Sequence, residues 1–372
     1  MRDHAAEALT TSSTIDRPAV ETLPLMGRMA AWDFFSGCGG TSAGFREAGI
    51  DVRLGLDIDP EAVRTFRRNF PEAEVVESDI RAVTARSLDR YLRSGNAAGP
   101  LVFAACAPCQ PFSRQNRLKR ADDGRTSLLR ELRRFIRRFG PDYVFVENVP
   151  GMQQGCLDGE PFQDFVAFLR EFRYGVDYAV VEALDFGVPQ HRSRLILTAS
   201  RHGSPGMPAP TYGAGRNPYL TVWDAIGGYP PLQAGEMHRQ IPNHAAPSLS
   251  PITKARLRST PEGGGRRDWP KHLILNCHLD HDGHSDVYGR LHRARPSGTL
   301  TTRCISVSNG RFAHPTQDRS ITPREAAALQ TFPDTFVFEG GINSVAKQVG
   351  NAVSVKLARA FGEHFLAHWA SR

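Results

Sequence analysis

The stretch that decides the amino-terminal part of the fold is AAWDFFSGCGGT, residues 30–41. Its first six residues, Ala30–Phe35, are mostly apolar and rich in aromatic side chains, which indicates a buried strand. The strand runs into a loop with three glycines among residues 37–40. Glycine lets the backbone turn sharply and approach a ligand closely, and a helix that follows presents its N-terminal amide groups to that ligand. The stretch therefore predicts a strand, a ligand-binding turn and a helix.

The same alternation continues outward from this stretch as far as residue 200. Short apolar runs predict further strands at residues 52–56, 101–105, 143–147, 178–183 and 195–199. Segments with helical periodicity lie between them, at residues 60–69, 125–139 and 161–172. Strands that alternate with helices predict an α/β fold with a largely parallel sheet covered on both faces.

The composition divides the chain into four parts. Residues 1–28 are rich in Ser and Thr without periodicity and are predicted to be a disordered lead-in, followed by the α/β domain over residues 29–200. Residues 201–320 are rich in Gly, Pro, His and Arg, which predicts a second, irregular domain. In the last part, 321–372, Thr322 and Glu325 have the spacing of a capping box around Pro323, and an amphipathic tail over 344–370 is expected to pack on the first domain.

Charge and cysteine content restrict the class of protein. The 372 residues include 46 Lys and Arg against 39 Asp and Glu, a net charge of +7 that points only weakly to a polyanionic partner. No apolar run approaches the roughly 18 residues of a membrane span, and the first 28 residues lack the apolar region of a signal peptide. Six scattered cysteines do not form a disulfide framework. A cytoplasmic protein without a membrane partner is expected.

Two carboxylates follow the second and third apolar stretches, at Asp57 and Asp79. A carboxylate about 20 residues after a glycine loop is suited to accept hydrogen bonds from a ribose. Together with the loop, these positions outline a site for an adenosine-containing cofactor at the carboxyl ends of the strands. The loop does not have the G-x-G-x-x-G spacing of dinucleotide-binding proteins, and by itself a plain tight turn explains it equally well.

A cysteine on a stiff loop follows the next predicted strand, in the sequence CAPCQPFS of residues 106–113. Pro108 and Pro111 restrict the residues before them, so Cys109 is held in a fixed place near the sheet edge. A thiol in such a place is a candidate nucleophile. The alternatives are a C-x-x-C redox pair and half of a zinc site, although no second C-x-x-C is present.

Two further groups of polar residues adjoin later strands. Glu147 follows the strand at 143–147, and a buried carboxylate is costly unless it is paired or functional. Gln190, Arg192 and Arg194 alternate at the entry of the last strand, which predicts that they share one face and that the arginines orient Glu147. A structural ion pair and a solvated strand end are the alternatives.

Taken together and in this order, these blocks resemble the DNA (cytosine-5)-methyltransferases. The resemblance extends to residues 322–334, which are similar to the ninth motif of that family, and to residues 348–353, which are similar to the tenth. Residues 288–302 resemble the segment that closes the family's target-recognition region. The resemblance implies a Rossmann-like S-adenosylmethionine-dependent methyltransferase domain with a smaller, irregular target-recognition domain.

The resemblance also implies a reaction. A cytosine in double-stranded DNA is flipped into the site, Cys109 attacks its C6, Glu147 hydrogen-bonds N3, and Arg194 contacts O2 with Arg192 in the same catalytic set. The methyl group of S-adenosylmethionine is transferred to C5. Asp57 is expected at the ribose of the cofactor and Asp79 at its adenine amino group. The full set of expected cofactor-binding residues is Phe35, Gly37, Cys38, Gly39, Gly40, Asp57, Ile58, Asp79, Ile80, Asn351 and Ala352.

DNA contacts are expected from two places. The basic loop after the cysteine and a glycine-rich segment of the irregular region supply side chains for phosphates and bases. These side chains are Gln110, Ser113, Arg114, Arg117, Lys119, Gln190, Arg266 and Arg267. By contrast, the arginines of residues 130–138 are predicted to lie on a solvated helix face.

The expected function is methylation of a specific cytosine in DNA by a monomeric bacterial enzyme, either within a restriction-modification system or alone. The same chemistry on transfer RNA and a non-catalytic nucleic-acid-binding protein are the alternatives. Catalysis of this kind requires no metal, so none is expected. A zinc site nevertheless stays open as an alternative for the side chains of Cys277, His278, His281 and His284.

Overall fold

The computed structural model describes residues 27–93, 99–107, 128–154, 161–275 and 286–372. Most of the predicted lead-in and the loop with Cys109 lie outside these ranges. The described residues form one sheet whose seven strands are β1 (Ala30–Phe34), β2 (Asp51–Asp57), β3 (Glu74–Glu77), β4 (Leu101–Ala105), β5 (Tyr143–Asn148), β6 (Gly175–Glu182) and β7 (Ser193–Ser200).

The strand order is β3-β2-β1-β4-β5-β7-β6. The first five strands are parallel, whereas β7 runs antiparallel to both β5 and β6. The carboxyl ends of β1, β2, β4 and β5 therefore share one edge of the sheet, and the amino end of β7 lies at that edge as well. The predicted largely parallel α/β sheet is confirmed. The short, half-exposed strand β3 was not predicted as a strand.

The helices lie between and after the strands. Those of the described residues are α1 (Gly40–Ala48), α2 (Pro60–Asn69), α3 (Asp89–Arg93), α4 (Leu128–Phe139), α5 (Pro161–Glu171), α6 (Val222–Ile226), α7 (Pro251–Arg258), α8 (Pro323–Leu329), α9 (Ile342–Asn351) and α10 (Val355–Ala370). The predicted capping box of α8 is confirmed, because the Thr322 hydroxyl accepts from the amide of Glu325 and the Glu325 carboxylate accepts from the amide of Thr322. The amphipathic tail forms the two helices α9 and α10. None of the helices in these ranges has the length and apolarity that a membrane span requires.

Both faces of the sheet are covered by helices, as predicted. On one face, aromatic residues of β1 and β4 pack with Phe135 of α4 and Phe165 of α5. On the other face, Phe45 of α1 and Phe145 of β5 pack with α10. Helices α1 and α10 approach closely at Gly44, where a Cβ atom would lie 2.4 Å from the carbonyl oxygen of Val355.

The arginines of α4 lie on a partly solvated face, since Arg130, Arg137 and Arg138 are exposed as predicted, but several of them also contact neighbouring elements. Arg130 pairs with Asp164 at 2.8 Å, and Arg134 donates to the carbonyl oxygens of Ile80 and Val83. Arg137 lies over the ring of Phe168. The aromatic surface of α5 and the free carbonyl groups after β3 provide these partners, and helical periodicity does not reveal them.

Residues 201–275 and 286–320 contain only the short helices α6 and α7, a few single-turn helices and isolated bridges. Their interior is held instead by buried arginine side chains. The guanidinium of Arg290 donates to the carbonyl oxygens of Leu257, Thr260, His314 and Gln317. Apolar side chains of this region, among them Leu291, Leu300 and Phe312, pack with α2, α8 and α9.

Candidate functional site

The glycine loop turns at the carboxyl edge of the sheet. Phe35 follows β1 with φ 59°, Gly37 has φ 51° and Gly39 has φ 98°, so the backbone repeatedly enters the left-handed region. For a residue other than glycine this region costs roughly 1–3 kcal/mol, and such strain is concentrated at ligand-binding sites. A Cβ at Gly39 would lie 2.5 Å from the ring of Phe70. The predicted loop is therefore a strained turn that runs directly into the first turn of α1.

The loop is tied to the end of β2 by Asp57. Its Oδ2 accepts from the amide of Gly37 at 2.7 Å, and its Oδ1 accepts from the amide of Asp59 at 2.9 Å. Burial raises the pKa of the Asp57 carboxyl. The next side chain, Ile58, is 63% exposed although it is apolar. Beside the loop there is consequently an apolar surface next to a carboxylate, which suits a base and its ribose.

Two buried polar atoms lack partners among the described residues, the Asp33 Oδ1 near the end of β1 and the Ser36 Oγ in the loop that follows. The other oxygen of Asp33 accepts from the Ser42 hydroxyl at 2.6 Å. Burial raises the pKa of Asp33 to about 7. Since buried polar groups are nearly always hydrogen-bonded, unpartnered ones in a strained glycine turn fit a polar ligand or ordered water. Asp33 was not among the predicted residues, although a carboxylate within a buried strand is a signal in the sequence.

The remaining predicted cofactor residues divide by exposure. Asp79 caps the turn after β3 and pairs with Arg81, which lowers the pKa of the Asp79 carboxyl. Asn351 is exposed at the end of α9. The side chains of Cys38 and Ile80 are only 2% exposed, and the Cys38 thiol points to the carbonyl oxygen of Gln348. Both residues pack in the core of the ligand-free protein, and their contact with the cofactor stays a prediction.

A buried ion pair joins β5 to β7 at the same edge. The Arg194 Nε lies 2.7 Å from the Glu147 Oε1, and the two side chains are 11% and 10% exposed. Antiparallel pairing places Glu147 opposite Ile196, so Arg194 lies within reach two residues earlier on β7. The ion pair holds the Glu147 carboxylate in a fixed position at this edge of the sheet.

The cysteine loop begins at this edge. The Asn148 Nδ2 donates to the carbonyl oxygen of Ala107 at 3.1 Å, and the Thr41 hydroxyl lies 3.4 Å from the Cys106 Sγ. Burial and the nearby Glu147 carboxylate raise the pKa of the Cys106 thiol. A thiol with a raised pKa is a poor nucleophile, which argues against a redox pair with Cys106.

The predicted nucleophile Cys109 and the predicted DNA contacts that follow it lie outside the described residues. These contacts are Gln110, Ser113, Arg114, Arg117 and Lys119.

Gln190 and Arg192 do not lie where strand alternation predicts. Both precede β7, so the alternation does not apply to them. Gln190 is fully buried and accepts from the amide of Leu300 at 2.9 Å, and its DNA contact stays a prediction. Arg192 donates to the carbonyl oxygens of Leu300, Gly350 and Ala352, and its hydrogen bonds do not reach Glu147. Burial lowers the pKa of Arg192 to about 9. Of the two arginines, only Arg194 orients the carboxylate.

In the irregular region, the two predicted DNA-contact arginines differ in exposure. Arg266 begins a single helical turn and is 6% exposed, and its DNA contact stays a prediction. Arg267 is exposed. The described residues contain no group of three or more His, Cys, Asp or Glu side chains able to hold a metal ion. The segment with Cys277, His278, His281 and His284 lies outside the described ranges.

Comparison with known proteins gives consistent matches over this architecture. The model of the family described as C-5 cytosine-specific DNA methylase matches residues 29–367. Type II methylase M.HgiDII of Herpetosiphon aurantiacus is 36% identical over 340 residues, which cover 90% of this chain and 94% of that protein. Type II methyltransferase M1.HphI of Haemophilus parahaemolyticus is also 36% identical over 340 residues, covering 90% and 86%.

Solved structures match in fold. A prophage-encoded Escherichia coli protein assigned as a DNA modification methyltransferase superposes with a TM-score of 0.73 at 24% identity, covering 92% of this chain and 99% of that one. The Entamoeba histolytica methyltransferase EhMeth superposes with a TM-score of 0.58 at 17% identity, covering 92% and 99%.

Proposed function

The chain belongs to the C-5 cytosine-specific DNA methylase family, and from that premise we propose how its residues bind the cofactor and the target base. The observation that carries the proposal is the shared sheet edge. The glycine loop with Asp57 lies at the ends of β1 and β2, and the Glu147–Arg194 pair lies at the facing ends of β5 and β7. One edge of the sheet thus carries both the proposed cofactor site and the polar side chains proposed to bind the base.

The residues of the loop fit S-adenosylmethionine. The unpartnered Asp33 and Ser36 oxygens and the exposed Ile58 offer polar and apolar contacts beside the left-handed turn. Asp57 is proposed to contact the ribose and Asp79 the adenine amino group. When bound, S-adenosylmethionine supplies the electrophilic methyl group that C5 of the cytosine receives.

Cys109 is the proposed nucleophile. Its thiolate sulfur forms a bond to C6 of the flipped cytosine. The electron pair of the C5–C6 double bond shifts to form a C4–C5 double bond, and the pair of the C4–N3 double bond takes up a proton at N3 that the protonated Glu147 carboxyl donates. This proton returns to Glu147 when C5 bonds the methyl group. Glu147 hydrogen-bonds N3, while Arg194 contacts O2 and holds the carboxylate. After methyl transfer, C5 loses its proton to a base, the double bond re-forms, and the Cys109 thiolate leaves. Covalent addition is required because C5 of an intact cytosine is a weak nucleophile.

The target is proposed to be a cytosine in duplex DNA, which must be flipped out at a cost of a few kcal/mol. The relatives that match most of this chain are named type II methylases, which favours a role in a bacterial restriction-modification system in the cytoplasm, on nucleoid DNA. Arg267 and the basic loop after Cys109 are the proposed DNA contacts. We propose that the protein acts as a monomer, since each role is assigned to a residue of this one chain.

Bisulfite sequencing of DNA from cells that express the protein tests the function directly. Expression of the wild type should protect cytosines from conversion within one short sequence, and Cys109→Ser should abolish that protection. Cys277→Ser serves as the matched control and should retain it. Methyl transfer by the purified protein should occur on duplex DNA and not on transfer RNA. Transfer to transfer RNA alone, or activity of Cys109→Ser equal to that of the wild type, would contradict the proposal.

A further inference from the structure

Two backbone segments of different regions meet around the buried guanidinium of Arg192. Its Nη1 donates to the carbonyl oxygen of Leu300 at 3.1 Å, and its Nη2 donates to those of Gly350 and Ala352, each at 3.1 Å. Leu300 belongs to the segment that ends the irregular region, whereas Gly350 and Ala352 lie at the carboxyl end of α9. The guanidinium therefore fixes these two segments relative to the start of β7.

The Leu300 segment is held from both sides. The Gln190 Oε1 accepts from the Leu300 amide at 2.9 Å, and the Gln190 Nε2 donates to the Gln330 Oε1 at 3.2 Å. There is no space between this segment and α9, because a Cβ at Gly350 would lie 2.2 Å from the carbonyl oxygen of Thr301. A displacement of the segment must consequently displace the end of α9.

The end of α9 in turn abuts the glycine loop. A Cβ at Gly40, the first residue of α1, would lie 2.4 Å from the carbonyl oxygen of Val353 and 3.2 Å from the Cβ of Ala352. The Gln330 Nε2 also donates to the carbonyl oxygen of Ala352 at 3.3 Å. The backbone held by Arg192 is thus the backbone against which the proposed cofactor loop rests.

Arg192 is also close in sequence to the side chains proposed to bind the base. Arg194 lies two residues further along and forms the 2.7 Å pair with Glu147. The donors of Arg192 are directed at backbone carbonyl groups, and its Nε is buried without a partner among the described residues. Its position suits a side chain that transmits a displacement of the Leu300 segment to the end of α9, and does not suit one that contacts a base.

We propose that Arg192 is a positioning residue that couples DNA docking on the irregular region to cofactor binding in the glycine loop. The proposal rests on the proposed function, because it assumes that these two ligands bind at these two places. Such coupling is reciprocal: DNA raises the affinity for the cofactor by the same factor as the cofactor raises the affinity for DNA.

Isothermal titration of S-adenosylhomocysteine, without and with a duplex that contains the target mapped by bisulfite sequencing, measures this factor. For the wild type, DNA should tighten binding roughly fivefold or more, the lower end of typical coupling. Arg192→Lys should lose the tightening by DNA, whatever its affinity for S-adenosylhomocysteine alone, because the factor compares two affinities of the same variant. Arg290→Lys is the matched control, since Arg290 is equally buried and also donates to carbonyl groups, but within the irregular region. It should weaken DNA binding and keep the factor.

The coupling is overturned if Arg192→Lys retains the wild-type factor, or if Arg290→Lys loses it to the same extent. Should Arg192→Lys fail to fold, the near-isosteric Gln190→Met removes the acceptor of the Leu300 amide and should lower the factor; an unchanged factor in that variant also overturns the coupling. Wild-type protein that binds S-adenosylhomocysteine without any tightening by DNA contradicts the coupling alone. Wild-type protein that neither binds it nor methylates DNA contradicts the proposed function instead.

Discussion

The sheet domain and the irregular region satisfy their backbone polar groups in different ways. In the sheet domain, strands and helices pair amide with carbonyl groups, and the side chains between them are almost entirely apolar. In the irregular region, buried arginines take the place of a strand ladder, with Arg290 donating to four carbonyl oxygens and to the Asp318 carboxylate. One side chain there replaces several backbone hydrogen bonds, so the loss of a single residue affects several segments at once.

Buried arginines also donate several hydrogen bonds where the irregular region meets the last helices. Arg319 makes two hydrogen bonds of 2.7 Å with the Glu325 carboxylate, and Arg324 donates to the carbonyl oxygens of Pro242 and Pro333. Arginine suits this task because its five donors lie in a rigid plane and it stays charged at any ordinary pH. Buried guanidinium nitrogens need acceptors, and irregular backbone provides carbonyl groups that no strand or helix already pairs.

The largest effect is expected from replacing Arg290, whose side chain joins several segments of the irregular region. Arg290→Met should lower the free energy of unfolding by about 3–5 kcal/mol, because it leaves several buried carbonyl groups without donors. Urea denaturation measures this change. Arg258→Met is the matched control: Arg258 faces the same Asp318 but is 71% exposed, and its loss should cost less than about 0.5 kcal/mol. If the two variants lost similar stability, buried arginines would not be what holds the region.

The comparison also explains what could be predicted from the sequence. The strands of the sheet and the helices that cover it were predicted because a buried ladder produces apolar runs and helical periodicity. Strand β3 was missed because it has only four residues, two of them exposed and two half-exposed. The Glu147–Arg194 pair was predicted because strand ends place both residues at one edge.

The partners of Arg192 and Arg290 could not be predicted. A carbonyl oxygen carries no mark in the sequence, and its availability depends on the tertiary path of the chain. The alternation of Gln190, Arg192 and Arg194 was misleading because β7 begins only at Ser193. The role of Asp33 was missed because its burial without a second partner depends on how the glycine loop folds over it.

The two regions should respond to pH in opposite directions. Burial raises the pKa of Asp33 in the sheet domain to about 7, so between about pH 4 and 7 the folded protein holds a proton that the unfolded chain has lost. Its contribution to the free energy of unfolding therefore falls as the pH rises through this window. Burial lowers the pKa of His314 in the irregular region to about 4, so between about pH 4 and 6.5 the unfolded chain binds the extra proton. Its contribution falls as the pH decreases.

Urea denaturation of two variants separates these contributions. Relative to the wild type, Asp33→Asn should gain roughly 1–3 kcal/mol between pH 5 and pH 8, because it no longer has to bury a charge. His314→Asn preserves an acceptor for the amides of Thr316 and Gln317, which His314 Nδ1 now binds. Its deficit relative to the wild type should shrink by a similar amount from pH 7.5 to pH 5. Parallel pH profiles of a variant and the wild type would show that the residue does not titrate as its burial implies.

The smallest expected effect concerns helix caps. It tests whether the sheet domain and the irregular region differ only in their tertiary contacts. Helix caps are local, so they should cost the same in both regions. Asp59 caps α2 of the sheet domain by accepting from the amides of Glu61 and Ala62, and Ser250 caps α7 of the irregular region by accepting from the amide of Thr253. Asp59→Ala and Ser250→Ala should each lower the free energy of unfolding by about 1 kcal/mol. A much larger loss of unfolding free energy for Ser250→Ala would mean that helix α7 stabilises the segments packed around it. The buried arginines would then not be the main source of stability in the irregular region.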